Sequence, residues 1–332
     1  MRIGLIDFDS KLPNVAIMKL AHYYKERGHT VVLNPSGASE VDKTYCSVLF
    51  TWNRDKAAKL AVLFPNIEFG GTGWDLKTCL PDDIEVGKPD YDLYRVEDIA
   101  PRIRGILTAK KRLQKARVLC DAGVGHVQRG CCRACPWCFI PEKEGRLRTV
   151  ASVGDLLNPR SKVLILLDAN LTASPDVLDV LREIRERDVT LDITQGIDIR
   201  LVTPEIAAEL ARIRHLRSIH YSWDSVKDER AIMSGIEILG SFVNRWRHLC
   251  FMLVGYNTEF SEDMYRFRRL LEAGVDPYVM VYNHQDDARL RAFARWVNGR
   301  IYSACADFEQ YTNWAKRRDA YFATPQAGLF AA

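Results

Sequence analysis

No stretch of the 332-residue chain approaches the roughly 18 uninterrupted apolar residues of a membrane span, and the start MRIGLIDFD carries an acidic pair where a signal peptide needs an apolar run. A cytosolic protein that does not enter a membrane is expected. Charge of one sign is lacking too: 47 Lys and Arg face 43 Asp and Glu, a net charge of +4 that names no partner. Low-complexity segments and internal repeats of sharp period are missing, which excludes solenoids, collagen and disordered linkers. A secretory disulfide framework is excluded by an odd count of nine cysteines without a signal segment.

The cysteines are unevenly placed. Cys131, Cys132, Cys135 and Cys138 fall within eight residues, while Cys46, Cys79, Cys120, Cys250 and Cys305 are scattered singly and read as packed thiols. One dense cluster in a reducing compartment points to a metal or redox site.

Two series of alternating strands and helices run along the chain. In the first, strands at 2–7, 30–33, 46–52 and 66–69 enclose helices at 14–26 and 54–64, the pattern of a parallel sheet covered by helices. Pro, Gly and Asp collect over 70–89, which places a boundary near 85–100. A basic stretch, 101–117, has seven Lys or Arg and no acid. The second series has strands at 118–127, 163–167, 190–194, 218–222, 249–254 and 278–282, with helices at 176–186, 204–212, 227–238 and 262–273 between them. Six such units predict a partial (β/α)6 barrel of the TIM type, whose chemistry collects at the carboxyl ends of its strands. The domain reading is therefore 1–95, a Rossmann-like α/β domain; 96–284, the partial barrel; and 285–332, a helical, basic and aromatic extension.

Cys131, Cys135 and Cys138 form C-x3-C-x2-C in RGCCRACPWCFIPEKEG, directly after the first barrel strand. Three thiolates at this spacing can hold three corners of a cubic iron–sulfur cluster, and the missing fourth thiolate leaves one iron for a substrate or cofactor. Cys132 is an alternative first ligand. A zinc site completed by His126, in a non-catalytic nucleic-acid-binding protein, is the competing reading.

The motif resembles that of the radical S-adenosylmethionine superfamily. Trp137, just before the third Cys, matches the aromatic residue usual there. The resemblance implies that Cys131, Cys135 and Cys138 ligate a [4Fe-4S] cluster whose open iron binds S-adenosylmethionine. It implies an external electron donor such as flavodoxin or ferredoxin, and cleavage of the sulfonium to a 5'-deoxyadenosyl radical that abstracts a hydrogen atom. On the same pattern Asp168 and Asn170 would receive the methionine amino group, and Gln195, Asp198 and Arg200 the ribose hydroxyls and carboxylate, unless Asp198 and Arg200 form an internal ion pair. Gly255 would let adenine approach the backbone, and Trp223, Asp224, Tyr282 and Asn283 would face substrate, although Asp224 and Glu259 equally suit helix caps.

The segment LPNVAIMKLAHYYKERGHTVVL is similar to the cobalamin-binding-like domain that precedes many such barrels. A D-x-H-x-x-G segment is missing, and a degenerate, cobalamin-free domain is preferred to a cobalamin-dependent methyltransferase. Methylthiotransferases need more N-terminal cysteines than Cys46 and Cys79, and Cys305 alone cannot hold a second cluster. For substrate, the basic stretch 101–117 joins Arg289, Arg291, Arg295, Arg300, Lys316, Arg317 and Arg318, interleaved with Phe293, Trp296, Tyr302, Tyr311 and Trp314. Cations neutralise phosphates and aromatic faces stack on bases, so a DNA or RNA base is the expected target, as for an isomerase or transferase of a modified nucleobase. A small-molecule substrate, or a merely solvated basic helix face, would give the same pattern.

Overall fold

The computed structural model describes residues 1–284 and 287–312. The chain is mixed α/β with parallel sheets and divides into two compact units, Met1–Ile219 and a second from His220 onward. No helix among the described residues is long and apolar enough to cross a membrane.

The first sheet has the order β2-β1-β3-β4, with β1 Arg2–Asp7, β2 Thr30–Leu33, β3 Lys43–Ser47 and β4 Ile67–Gly70, all parallel. Asn14 caps the helix Val15–Glu26 by accepting from the Ile17 amide at 3.2 Å, and Val15, Ile17, Met18, Leu20 and Ala21 turn inward. The strand expected over 46–52 ends at Ser47, because Asp9 takes the amides of Leu49 and Phe50 at 2.7 and 3.1 Å and turns the chain there. The helix expected at 54–64 is two short ones, Arg54–Ala58 and Leu60–Leu63.

Residue 95 is not a boundary between compact units. One apolar core runs from Ile3, Leu5 and Ile17 through Ile99 and Ala116 to Val124 and Ile165, so the first sheet and the next are packed on a shared interior. The basic stretch ends in a helix, Ala109–Asp121, capped by Thr108. That helix takes up 118–121 of the expected strand 118–127 and leaves β5 Gly123–Gly125.

A two-residue hairpin follows, β6 Gln128–Arg129 antiparallel to β7 Arg148–Thr149. The second parallel sheet has the order β10-β9-β8-β5, with β8 Val163–Leu166, β9 Thr190–Ile193 and β10 Arg214–His215. A third sheet, β11 Ile219–Ser222, β12 His248–Val254 and β13 Asp276–Val281 in that order, belongs to the second unit.

The strands of the expected partial barrel lie in sheets of four and three strands, and no closed barrel occurs among the described residues. The strand expected over 218–222 is β11; the additional β10 before it pairs with β9, with Leu216, Arg217 and Ser218 unpaired as strand between the two.

Candidate active site around the cysteine loop

The cysteine loop, residues 130–147, is carried by the β6–β7 hairpin at the carboxyl end of β5. The neck is narrow. A Cβ on Gly130 would fall 2.4 Å from the Arg146 carbonyl oxygen, and its φ of +85° suits glycine, so the residue before Cys131 allows the two arms to meet.

Below the neck lies a buried ionic network. Arg129 donates from Nε to Glu85 Oε1 at 2.9 Å and from Nη1 to Glu144 Oε1 at 2.8 Å, and Glu144 Oε2 accepts the Gly130 amide at 2.9 Å. Lys19 comes up from the helix Val15–Glu26 to the Glu85 carbonyl and carboxylate, and burial lowers its pKa against the opposing pull of Glu85. The first sheet and the cysteine loop are therefore tied by charge as well as by apolar packing. His126 sits in this network with Nε2 3.1 Å from Arg129 Nη1, and burial together with the Arg129 and Lys19 charges holds its pKa well below the ordinary value.

The loop thiols are all outside disulfides: Cys131 and Cys135 are half-buried, Cys132 and Cys138 exposed. The Cys131 sulfur accepts the Arg133 amide at 3.3 Å and the Asn170 side-chain amide at 3.5 Å, and the same Asn170 group lies 3.9 Å from the Cys132 sulfur. Burial and the adjacent Cys131 push the Cys132 thiol up.

Elsewhere burial raises Cys46 to about 12, Cys120 to about 11 and Cys250 further, as expected of packed thiols. Cys79 corrects that expectation, being exposed, with its sulfur 3.9 Å from the Lys143 carbonyl.

The predicted strand-end residues of the first unit surround this loop. Asp168 is fully buried, and its carboxylate accepts the Val127 and Gln128 amides at 3.2 and 2.8 Å, fixing the backbone that leads into the hairpin. Burial pushes its pKa up to about 7 against those bonds. Asn170, also buried, meets Cys131 and accepts from Thr172.

Asp198 does not continue an extended segment; it caps the 3-10 turn Ile199–Leu201 and accepts from Arg200 Nε at 2.7 Å and Arg133 Nε at 2.8 Å. Burial raises the Asp198 pKa, yet the hydrogen bonds and charges of the two arginines outweigh it and hold the carboxylate below its usual range. The internal ion pair is thus present, and it reaches into the cysteine loop through Arg133. Gln195 is exposed, and Trp137 is half-buried within the loop.

Residues of the second unit are used differently. Trp223 is fully buried, with its indole N–H donated to the Ser225 carbonyl. Asp224 accepts the Leu253 amide at 2.9 Å, and Glu259 forms a capping box with Glu262. Gly255 has φ +80°, Tyr282 packs edge-on against Tyr256 at 4.8 Å, and Asn283 is exposed. Phe293, Trp296 and Tyr311 are buried and belong to the core, while Tyr302 is half-buried. Arg289 pairs with Glu309 and Arg300 with Asp276, while Trp314, Lys316, Arg317 and Arg318 lie outside the described residues.

Among the described residues no three Cys, His, Asp or Glu side chains are gathered closely enough to hold a metal ion. The donor chemistry nevertheless fits an iron–sulfur cluster: three partly exposed thiols outside disulfides share one loop, and N–H groups are aimed at the first of them.

No family profile matches the chain, and no curated protein does. Among solved structures, Streptococcus suis SuiB bound to precursor peptide SuiA is similar at 14% identity and a TM-score of 0.38, over 65% of this chain and 53% of that one. SuiB bound to S-adenosylmethionine is similar at 13% and 0.39, over 64% and 56%. The chain spans about half the length of these structures.

Proposed function

We propose that the chain is a radical S-adenosylmethionine enzyme that acts on a nucleobase of DNA or RNA. The observation that carries the enzyme class is the loop of three thiols outside disulfides at C-x3-C-x2-C, hung from the carboxyl end of a parallel sheet and met there by Asn170 and Asp198. Cys131, Cys135 and Cys138 would hold a [4Fe-4S] cluster, which, when bound with S-adenosylmethionine, supplies a 5'-deoxyadenosyl radical for hydrogen abstraction.

The chain's own residues set the conditions. Asn170 and the Arg133 amide donate to the Cys131 sulfur and orient it. Asp168 fixes the backbone of Val127 and Gln128, and the Arg129–Glu144 pair closes the neck, so the thiols are presented from a fixed base. Asp198 holds Arg133 and Arg200 beside the loop, and a guanidinium so oriented suits a carboxylate such as that of methionine. Gln195 would meet the ribose. The nucleobase target is supported by the helix Ala109–Asp121, on which Lys110, Lys111, Lys115 and Arg117 are exposed and, among the described residues, unpaired with acids.

Anaerobic incubation of the reduced protein with S-adenosylmethionine is expected to release 5'-deoxyadenosine, and Cys135→Ala to abolish the release. Deuterium on the target base should appear in that product. Release that is equal with and without DNA or RNA, and free of deuterium in both, would remove nucleic acid as the substrate.

A further inference from the structure

The carboxyl end of the first sheet carries an aromatic surface that none of the cysteine-loop chemistry uses. Phe50 and Trp52 are stacked, with ring centroids 4.7 Å apart and planes at 19°, and Trp52 is 58% exposed. Lys11 Nζ lies 5.5 Å from the Phe50 centroid. Beside them Trp74 stacks on Phe69 at 4.1 Å, with the Arg54 guanidinium 5.2 Å from its centroid. An exposed tryptophan stack between two cations is a costly surface for a monomer to keep unless it meets a partner.

This rim is built rather than loose. Asp9 accepts from the amides of Leu49 and Phe50 and from the Asn53 side chain, at 2.7, 3.1 and 3.0 Å, which satisfies its oxygens and fixes the turn bearing both rings. The loop after β4 crosses the same turn so closely that a Cβ on Gly73 would lie 2.4 Å from the Phe50 nitrogen. Thr72 adds a hydroxyl bond to the Leu49 carbonyl at 3.1 Å.

Its position is informative as well. Strand order 2-1-3-4 reverses direction between β1 and β3, and ligands of open α/β sheets bind outside the carboxyl ends of strands at such a reversal. The rim is also fastened to the cysteine loop: Lys143, ending the short helix Ile140–Lys143 behind Cys138, donates to the carbonyls of Asp75 and Thr78 at 3.2 and 2.6 Å.

We infer that the Phe50–Trp52 rim is a stacking platform for a base of a single-stranded or locally opened nucleic acid, with Lys11 and Arg54 on its phosphates. The surface fits this ligand because it offers flat faces for bases and cations for the backbone, while the neighbouring carboxylate of Asp9 is already engaged. Among the described residues neither Lys11 nor Arg54 is in an ion pair. The choice of nucleic acid over another flat ligand rests on the function proposed above. The platform extends that reading by assigning the first sheet a part in gripping the substrate.

The test is fluorescence anisotropy of a short labelled single-stranded deoxyoligonucleotide titrated with the full chain. Trp52→Ala is expected to weaken binding about tenfold, the usual loss for one stacked base, and Trp52→Phe to retain most of it. Lys11→Gln and Arg54→Gln should each lower the salt dependence of binding by about one phosphate contact. Trp246→Ala, which removes an exposed ring outside both sites, should bind like the unaltered chain. The platform is overturned if Trp52→Ala binds as tightly as the parent, or if the parent binds no oligonucleotide and instead self-associates through Trp52. Release of 5'-deoxyadenosine by the same preparation would leave the radical-enzyme reading standing in either case.

Discussion

In the unit Met1–Ile219, the polar residues at strand ends converge on one loop: Asp168 holds its base, Asn170 reaches the Cys131 sulfur and Asp198 holds Arg133. In the unit from His220 onward, the corresponding residues serve the scaffold, Asp224 on a neighbouring strand amide and Glu259 in a helix cap. The aromatics divide in the same way. Phe50 and Trp52 stack at a rim, while Phe260, Phe293, Trp296 and Phe308 pack on one another with centroids 5.3–6.2 Å apart. The lesson is that residue type does not separate a site from a scaffold. What separates them is where the hydrogen bonds end and which faces are left to solvent.

The sharpest way to break this comparison is to truncate one ring of each kind. Phe293 is fully buried, so Phe293→Ala should cost about 3–5 kcal/mol in a denaturant melt, whereas Trp52→Ala should cost no more than about 0.5 kcal/mol. Similar losses from both would erase the distinction between core and platform.

Titration offers the next largest effect, with opposite signs in the two units. Burial raises Asp168 to about 7, above its unfolded value, so the folded state holds the extra proton between about pH 4 and 7. Its contribution is complete at the acid end and is lost as pH rises through 7, by about 2–4 kcal/mol. His248 is buried between the Tyr221 hydroxyl and the Val243 carbonyl, and burial lowers it to about 4. Its contribution is present above about pH 6.5 and is lost as pH falls through 4, on the order of 2–3 kcal/mol. Asp168→Asn and His248→Gln should therefore change the slope of stability against pH in opposite directions. Changes of the same sign would contradict the environments described.

A smaller contrast compares two carboxylates. Asp198→Asn leaves Arg133 and Arg200 without their anion and should cost about 1–3 kcal/mol while slowing cleavage of S-adenosylmethionine. Asp224→Asn keeps an oxygen for the Leu253 amide, should cost less than about 1 kcal/mol, and should leave cleavage nearly unchanged.

Much of the scaffold can be read from local pattern. β1, β2 and the helix Pro204–Arg212 fall where apolar spacing, Gly28 and the Thr203–Pro204 start place them, and the C-x3-C-x2-C spacing marks the loop directly. The rest depends on contacts distant in sequence. Trp52 reads as the end of a buried strand, and only the hold of Asp9 on Leu49 and Phe50, some forty residues away, turns it outward. The change of sheet between β10 and β11 follows from pairing partners that no local period shows. Nor does composition show that Phe293 and Trp296 face inward while Arg289 and Arg300 are neutralised by Glu309 and Asp276.

The central claim is that three thiols of one loop hold an iron–sulfur cluster, and the most direct measurement is iron and acid-labile sulfide per chain after anaerobic reconstitution. The account predicts about four of each in the unaltered protein and in Cys132→Ala, with near-complete loss in Cys131→Ala, Cys135→Ala and Cys138→Ala. One zinc without iron or sulfide, or a full complement of iron in Cys135→Ala, would contradict it.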